Sequence, residues 1–430
     1  MNITTERILE YHLGGKVGLR LVKQLADVDS LCMAYTPGVA VPVKTISSDP
    51  DTIFKYTAKG NLVAVVTDGT AILGLGDLGA EASIPVMEGK AVLFKAFGDV
   101  DGWPVPLNLC RQNGKNEGPT DPQRVIDATC AIAPMYGGIN LEDIAAPACF
   151  EVEDRLDELL DIPVFHDDQW GTAVITLAGV MNYCLLCERE LAELRIVING
   201  AGAAGIRIAE MLKAAGAESV VLCDSRGVIS TDRDNLTAKK QEHVVETSLK
   251  TVGEAMAGAH VFIGVSVADV ITENDVLSMA PYPAIFAMAN PDPEIRPEAV
   301  TACMGDREYV MATGRSDYQN QVNNVLGFPF LFRGALDVRA SKINVEMKIA
   351  ASKALAAVAR EPVSGYVRDL FAAEQLEFGS KYIIPKPFDR RLFIEVSYAV
   401  GEAAVASGVA PARDLAEYRR ELERRNDERV

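Results

Sequence analysis

Leu194-Arg195-Ile196-Val197-Ile198-Asn199 runs directly into Gly200-Ala201-Gly202-Ala203-Ala204-Gly205, and this junction decides the fold. The apolar, β-branched run predicts a buried parallel strand. The glycines permit a tight turn, close approach of backbone to a pyrophosphate, and packing of the next helix on the strand. Ile208, Ala209 and Leu212 give that helix an apolar face. A lone G-x-G-x-x-G is weak and fits an ordinary glycine turn as well. Here the following run, Ser219-Val220-Val221-Leu222-Cys223, ends in Asp224, 19 residues after Gly205. A ribose-binding acid is expected about 20 residues on. The context therefore favours a dinucleotide site formed by Gly200, Gly202, Ala203, Ala204, Gly205 and Asp224.

Outward from this junction, Val261-Phe262-Ile263-Gly264 and Ala284-Ile285-Phe286-Ala287 continue a doubly wound sheet. The second run leads into Met288-Ala289-Asn290-Pro291, which puts Asn290 at the carboxyl edge, near the nicotinamide end; an Asn-Pro turn is its alternative. On the N-terminal side, Leu62 to Val66 reads as a strand before Asp68-Gly69-Thr70. Thr120-Asp121-Pro122 is a cap followed by proline, opening a helix from Arg124 to Ala133. Then come a short strand (139–141), Glu142-Asp143, a helix (151–160), a second strand (162–165), and Phe165-His166-Asp167-Asp168-Gln169-Trp170-Gly171-Thr172. Strand, helix, strand makes a right-handed crossover between parallel strands, so both acid pairs fall at one sheet edge, where open α/β sheets bind ligands. Two readings stay open. The acids gather Mg²⁺ or Mn²⁺, or Asp167 or Asp168 caps a helix from Thr172 to Leu186 while Glu142-Asp143 starts a turn.

A chain of 430 residues exceeds one ordinary core and predicts two or three domains. The net charge of -18 disfavours nucleic acid and anionic membrane as partners. The start lacks a charged segment followed by an apolar one, and no run approaches a membrane span, so a cytoplasmic location is expected. Eight cysteines are scattered through apolar runs, as reduced core thiols; Cys184-x-x-Cys187 has no second pair or histidine at zinc spacing.

With these pieces placed, the sequence resembles the malic enzyme family, in its short bacterial form without a phosphotransacetylase-like domain. The resemblance covers nearly the whole chain. It rests on Tyr35-Thr36-Pro37-Gly38-Val39-Ala40, Leu73-Gly74-Leu75-Gly76-Asp77-Leu78-Gly79, Pro85-Val86-Met87-Glu88-Gly89-Lys90, Glu142-Asp143, His166-Asp167-Asp168-Gln169, the glycine turn, and Gln321-Val322-Asn323-Asn324 before Phe328-Pro329. It implies oxidation of L-malate at C2 with NAD or NADP, loss of CO2, and protonation to pyruvate, with Mg²⁺ or Mn²⁺. It implies Glu142, Asp143 and Asp168 as metal ligands, Lys90 as general base, Asp167 as its orienting acid, and Tyr35 as general acid. Asn290 and Asn324 would contact the substrate carboxylates; Asn323 is a weaker candidate with helix capping as its alternative. Without the resemblance, Lys90 reads as a solvated lysine and Tyr35 as an aromatic before a turn.

The family pattern is broken in places. Long forms carry an arginine near Ala71, so Arg315 and Lys95 become candidates for gripping a carboxylate. Short forms usually have histidine at Trp170, proline at Gln319 and glycine at Phe330, which predicts a divergent cleft. Asp224 suits the NAD ribose while Arg226 favours the NADP 2′-phosphate, so both cofactors stay open. The resulting expectation is an α/β chain: an N-terminal malic-enzyme domain (1–166), a Rossmann-type dinucleotide domain (167–385), and C-terminal helices packing back (386–430). At least a homodimer is expected, with Tyr35 serving a partner's cleft. A dehydrogenase of another 2-hydroxy acid without decarboxylation, or a non-catalytic dinucleotide sensor, are the alternatives.

Overall fold

The computed structural model describes residues 4–113, 117–372 and 374–429, and in it the chain builds two sheets of parallel or mainly parallel strands. The first contains β1 (Leu62–Thr67), β2 (Asp101–Pro106), β3 (Gly138–Leu141) and β4 (Val164–His166), in the order β2-β1-β3-β4. Every pairing is parallel. Val63 to Val66 of the central β1 have no exposed surface, which is why that strand reads as one unbroken apolar run.

The helix expected at 151–160 begins three residues earlier, as Ala148–Leu159, and among the other boundaries that differ from the sequence expectation two bear on the acids. β4 begins at Val164 rather than Ile162. Pro163 has no N–H for the ladder, and it contributes only its carbonyl, which accepts from the Ile139 N–H at 2.8 Å. The next helix spans Asp167–Leu186, not Thr172 onward. His166, with extended backbone, is its N-cap residue, so Asp167 and Asp168 sit inside the first turn and neither is the cap. Their charges lie at the positive end of the helix dipole. The Pro122 helix starts where the proline predicts, at Pro122–Ile132, capped by the Asp121 side chain.

The second sheet contains β5 (Arg195–Asn199), β6 (Ser219–Asp224), β7 (Gly227–Val228), β8 (Val261–Gly264), β9 (Ala284–Ala287) and β10 (Val310–Thr313). Its order is β10-β9-β8-β5-β6-β7, parallel except for β6 with β7. The chain steps one way from β5 to β6 and returns to the other side at β8, so the switch point falls between β5 and β8, at the glycine turn. The largest core cluster takes residues from both sheets, for example Val65, Phe165, Ile196 and Phe286. Helix Asp167–Leu186 leads from the first sheet to the second and packs on helix Ala203–Ala214. The last helices, Arg391–Ala406 and Leu415–Glu428, fold back, and Arg425 reaches Asp99 and Asp337 at 3.0 Å each.

The N-terminal segment behaves differently. Helices Val28–Ala34 and Ala40–Ser48 bury no residue. Leu19, Leu21, Val22, Met33, Val41 and Val43 are all exposed on it. So much apolar surface is a hallmark of an interaction face. All eight cysteines are free, and Cys184 and Cys187, at the end of the long helix, belong to no cluster of three metal-ligating side chains among the described residues. No helix among the described residues is long and apolar enough to cross a membrane.

Candidate functional site

The acid cluster follows from register. β3 and β4 pair with Leu141 opposite His166, so Glu142 and Asp167 leave their strands at the same level. Glu142, Asp143 and Asp168 each offer a carboxylate oxygen within 4.8 Å of the others. Asp143 takes a left-handed backbone (φ 54), and its N–H donates to Asp168 Oδ2 at 2.8 Å. Asn140 Nδ2 steadies Glu142 Oε2 at 2.9 Å. Burial, and then the neighbouring acids, raise the Glu142 pKa well above its ordinary value, with Lys90 opposing. Burial and Asp168 push Asp143 up to about 7, and burial raises Asp168. The buried Asp143 Oδ2 has no hydrogen-bond partner among the described residues. Three crowded carboxylates with an open oxygen fit a hard divalent cation: the donors are all oxygen, and a cation compensates charges that burial, and for Glu142 and Asp143 also their acidic neighbours, disfavour.

Lys90 completes the cluster. It lies in helix Ala80–Gly98, is buried, and is not the solvated lysine that the residue pattern alone suggests. Its Nζ stands 2.6 Å from Asp167 Oδ2 and 2.8 Å from Glu142 Oε1. The Phe328 ring closes the other side at 4.3 Å. Burial alone would drive the ammonium neutral; Asp167 and Glu142 outweigh it and hold the proton on. Asn324 Nδ2 donates to the Asp167 carbonyl (3.2 Å) and to Oδ2 (3.1 Å). That approach requires Gly171, where a Cβ would stand 2.3 Å from Asp167 Oδ1 and 2.8 Å from Asn324 Cγ.

The second sheet brings its edge to the same place. Asn290 follows β9, and Gly74, beside the Asp143-bonded Leu73, packs against the Asn290 carbonyl, where a Cβ would come within 3.2 Å. At the glycine turn, Gly205 lies so close to Gly200 that a Cβ would be 1.7 Å from the Gly200 oxygen. Gly205→Ala is accordingly expected to cost about 1–3 kcal/mol of stability and to abolish dinucleotide binding, read by thermal melting with and without NADP⁺. An unchanged melting temperature and unchanged dinucleotide affinity would contradict this. Beyond the turn, both Asp224 oxygens are occupied: Arg233 donates to Oδ1 (2.8 Å) and Oδ2 (3.0 Å), Lys240 to Oδ2 (2.7 Å), and the Arg226 N–H to Oδ1 (2.9 Å). Burial works against the Asp224 charge, and the bonds from Arg233 and Lys240 reverse it, holding the pKa well below the usual range.

Residues 16–157 match the family described as malic enzyme, N-terminal domain, and residues 170–368 match malic enzyme, NAD binding domain. The chain belongs to the malic enzyme family. Among curated malic enzymes it is 50% identical to an NADP-dependent malic enzyme of Rhizobium meliloti, across 99% of this chain and 56% of that one. It is 49% identical to an NADP-dependent malic enzyme of Halomonas elongata across 94% of each chain. An NAD-dependent malic enzyme of Rhizobium meliloti is 45% identical, over 96% of this chain and 53% of the relative. The chain thus spans about half the length of several malic enzymes it matches and nearly all of another. Among solved structures, malic enzyme from Pyrococcus horikoshii superposes with a TM-score of 0.84 at 38% identity, covering 99% and 98% of the two chains.

The remaining residues named by the resemblance lie farther from the acids or have other partners. Tyr35 ends helix Val28–Ala34 with 70% of its surface exposed, and among the described residues no hydrogen bond ties its hydroxyl to the acids. Lys95 is spent on Asp99 (2.7 Å) and Asp101 (2.9 Å); five residues past Lys90, it points about 140° around the helix, away from the acids. Arg315 is at the right edge, donating to the Pro291 carbonyl at 3.3 Å, but is shared with Asp317. Trp170 donates its indole N–H to Glu153 at 3.0 Å on the back of the acid helix, so its departure from histidine does not reshape the cleft. Asn323 caps the Asn324–Leu326 turn through the Val325 N–H, its bland alternative. Sequence reading missed Asn140; a buried polar residue inside the apolar run Gly138-Ile139-Asn140-Leu141 was the available signal.

Proposed function

We propose that this chain catalyses the divalent-metal-dependent oxidative decarboxylation of L-malate to pyruvate and CO2, with a nicotinamide dinucleotide as hydride acceptor. The observation that carries it is Lys90 Nζ held between Asp167 and Glu142, beside the further acids Asp143 and Asp168. Glu142, Asp143 and Asp168 are the residues that would hold Mg²⁺ or Mn²⁺. Bound there, the cation supplies Lewis-acid polarisation of the C2 oxygen and offsets the acids that keep Lys90 protonated. Lys90 takes the C2 hydroxyl proton, and a dinucleotide held at Gly200–Gly205 would supply the acceptor for the C2 hydride. Asp167, itself steadied by Asn324, orients Lys90, while Asn290 and Asn324 contact the substrate carboxylates. The C3–C4 bond then breaks, C4 leaves as CO2, and Tyr35 returns a proton to C3. A steady-state assay with malate and Mn²⁺ tests this: pyruvate and reduced dinucleotide should form one for one. Reduced dinucleotide without pyruvate would favour the 2-hydroxy-acid dehydrogenase instead.

The exposed Tyr35 and its apolar arm support a homodimer in which each arm crosses to the other subunit's cleft. Mixing Lys90→Ala with Tyr35→Phe separates the alternatives. If the arms cross, each hybrid carries one intact site and about a quarter of wild-type activity returns. If Tyr35 acts within its own chain, mixing restores nothing.

Occupied on both oxygens, Asp224 has little capacity left for a ribose hydroxyl pair, and Arg226, Arg233 and Lys240 leave a net positive pocket. NADP is therefore the preferred dinucleotide. Arg226→Ala should lower kcat/KM for NADP⁺ about tenfold and leave NAD⁺ nearly untouched, in line with a lost charge-assisted bond. An equal loss for both cofactors would place Arg226 elsewhere.

A further inference from the structure

Glu153 and Arg207 belong to none of the groups above, yet both are almost wholly buried. Glu153 Oε1 accepts from the His166 backbone N–H at 2.9 Å. Its Oε2 accepts from Trp170 Nε1 at 3.0 Å and from Arg207 Nη2 at 3.1 Å. Arg207 also donates Nε to Gln169 Oε1 at 2.8 Å and Nη1 to Glu210 at 2.8 Å, and its guanidinium lies 4.6 Å from the Trp170 ring centroid. Buried charges of this kind are costly unless paired and hydrogen-bonded, and here every arm of the fork is used.

The helical repeat gives the arrangement direction. At about 100° per residue, positions 166, 169 and 170 fall on one side of the first turn and 167 and 168 on the other. Glu153 and Arg207 grip the first side; Asp167 and Asp168 present the second. Arg207 is also the second residue after Gly205, on the helix Ala203–Ala214 that opens at the glycine turn. One guanidinium thus holds the dinucleotide helix and the back of the acid turn together, and an exposed ion pair with freely moving partners would transmit far less.

We propose that Glu153 and Arg207 are positioning residues that couple dinucleotide seating at Gly200–Gly205 to divalent-ion binding at Glu142, Asp143 and Asp168. The coupling rests on the metal and dinucleotide sites proposed above. By linkage it is reciprocal: each ligand tightens the other by the same factor.

The test is the Mn²⁺ dissociation constant, from the electron paramagnetic resonance of free Mn²⁺, with and without saturating NADP⁺. Wild type should bind Mn²⁺ at least about fivefold tighter with NADP⁺ present, a ratio that Arg207→Met brings to about 1. Arg207→Lys keeps the charge without the fork and should restore part of the ratio, a graded rescue that mere loss of fold would not give. Should Arg207→Met fail to fold, Trp170→Phe leaves Arg207 in place but removes the N–H donated to Glu153 and part of the ring beneath the guanidinium, and should lower the ratio. A wild-type ratio of 1, or an unchanged ratio in the folded variants, overturns the coupling alone. Failure of wild type to bind either ligand overturns the proposed function and the coupling with it.

Discussion

Lys90→Ala is expected to lower kcat for malate oxidation roughly 10³-fold while leaving NADP⁺ affinity within about a factor of two. The Nζ is the one basic atom that stands within 3 Å of both Asp167 and Glu142, and no other cation among the described residues replaces it there. Lys90→Arg should do no better, because a guanidinium cannot give up its proton at working pH and so cannot accept one from the substrate. Removing the ammonium leaves two buried acids without their countercharge, so the variants are compared at saturating Mn²⁺. NADPH fluorescence titration checks the cofactor arm, and steady-state turnover the chemical one. Turnover near wild type in Lys90→Ala would remove the proposed base.

Asp168→Ala is expected to weaken Mn²⁺ binding by about 100-fold or more, since loss of even an outer-shell partner of a metal ligand costs 10–100-fold. Two contributions vanish together. One is a carboxylate in the three-acid cluster; the other is the acceptor for the Asp143 N–H, which fixes the left-handed backbone at Asp143. Asp127→Ala is the control for charge alone, as Asp127 sits on helix Pro122–Ile132, where its side chain accepts from Gln123 rather than joining the acid cluster. Calorimetric titration of Mn²⁺ into both variants reads the difference. Equal affinities would show that Asp168 does not hold the ion.

What could be read from the sequence follows physical range. Period and composition act over a few residues, and they located the β5 junction, the β3–helix–β4 crossover and the shared edge of the two acid pairs. The strand and helix limits near Pro163 and Asp167 shifted because a missing N–H and an N-cap conformation decide them locally, against the apolar pattern. Lys90 was illegible by pattern: its partners Glu142 and Asp167 lie 52 and 77 residues away, and only the fold shows that this lysine points inward. The resemblance supplied its role. It also supplied Tyr35, which no local pattern singles out and which the structure leaves exposed on the N-terminal arm. Trp170 misled in the opposite way. A departure next to the acids looked like a change in the cleft, but helical geometry turns position 170 away from 167 and 168, toward Glu153.

The central claim is that acids from the ends of β3 and β4 gather a divalent ion beside Lys90. Anomalous diffraction from a crystal grown with Mn²⁺, NADP⁺ and a malate analogue measures this directly. One strong peak coordinated by Glu142, Asp143 and Asp168, with the analogue's C2 oxygen within reach of Lys90 Nζ, is the expected result. No peak at those carboxylates, or a peak elsewhere while the analogue sits at Lys90, would contradict it.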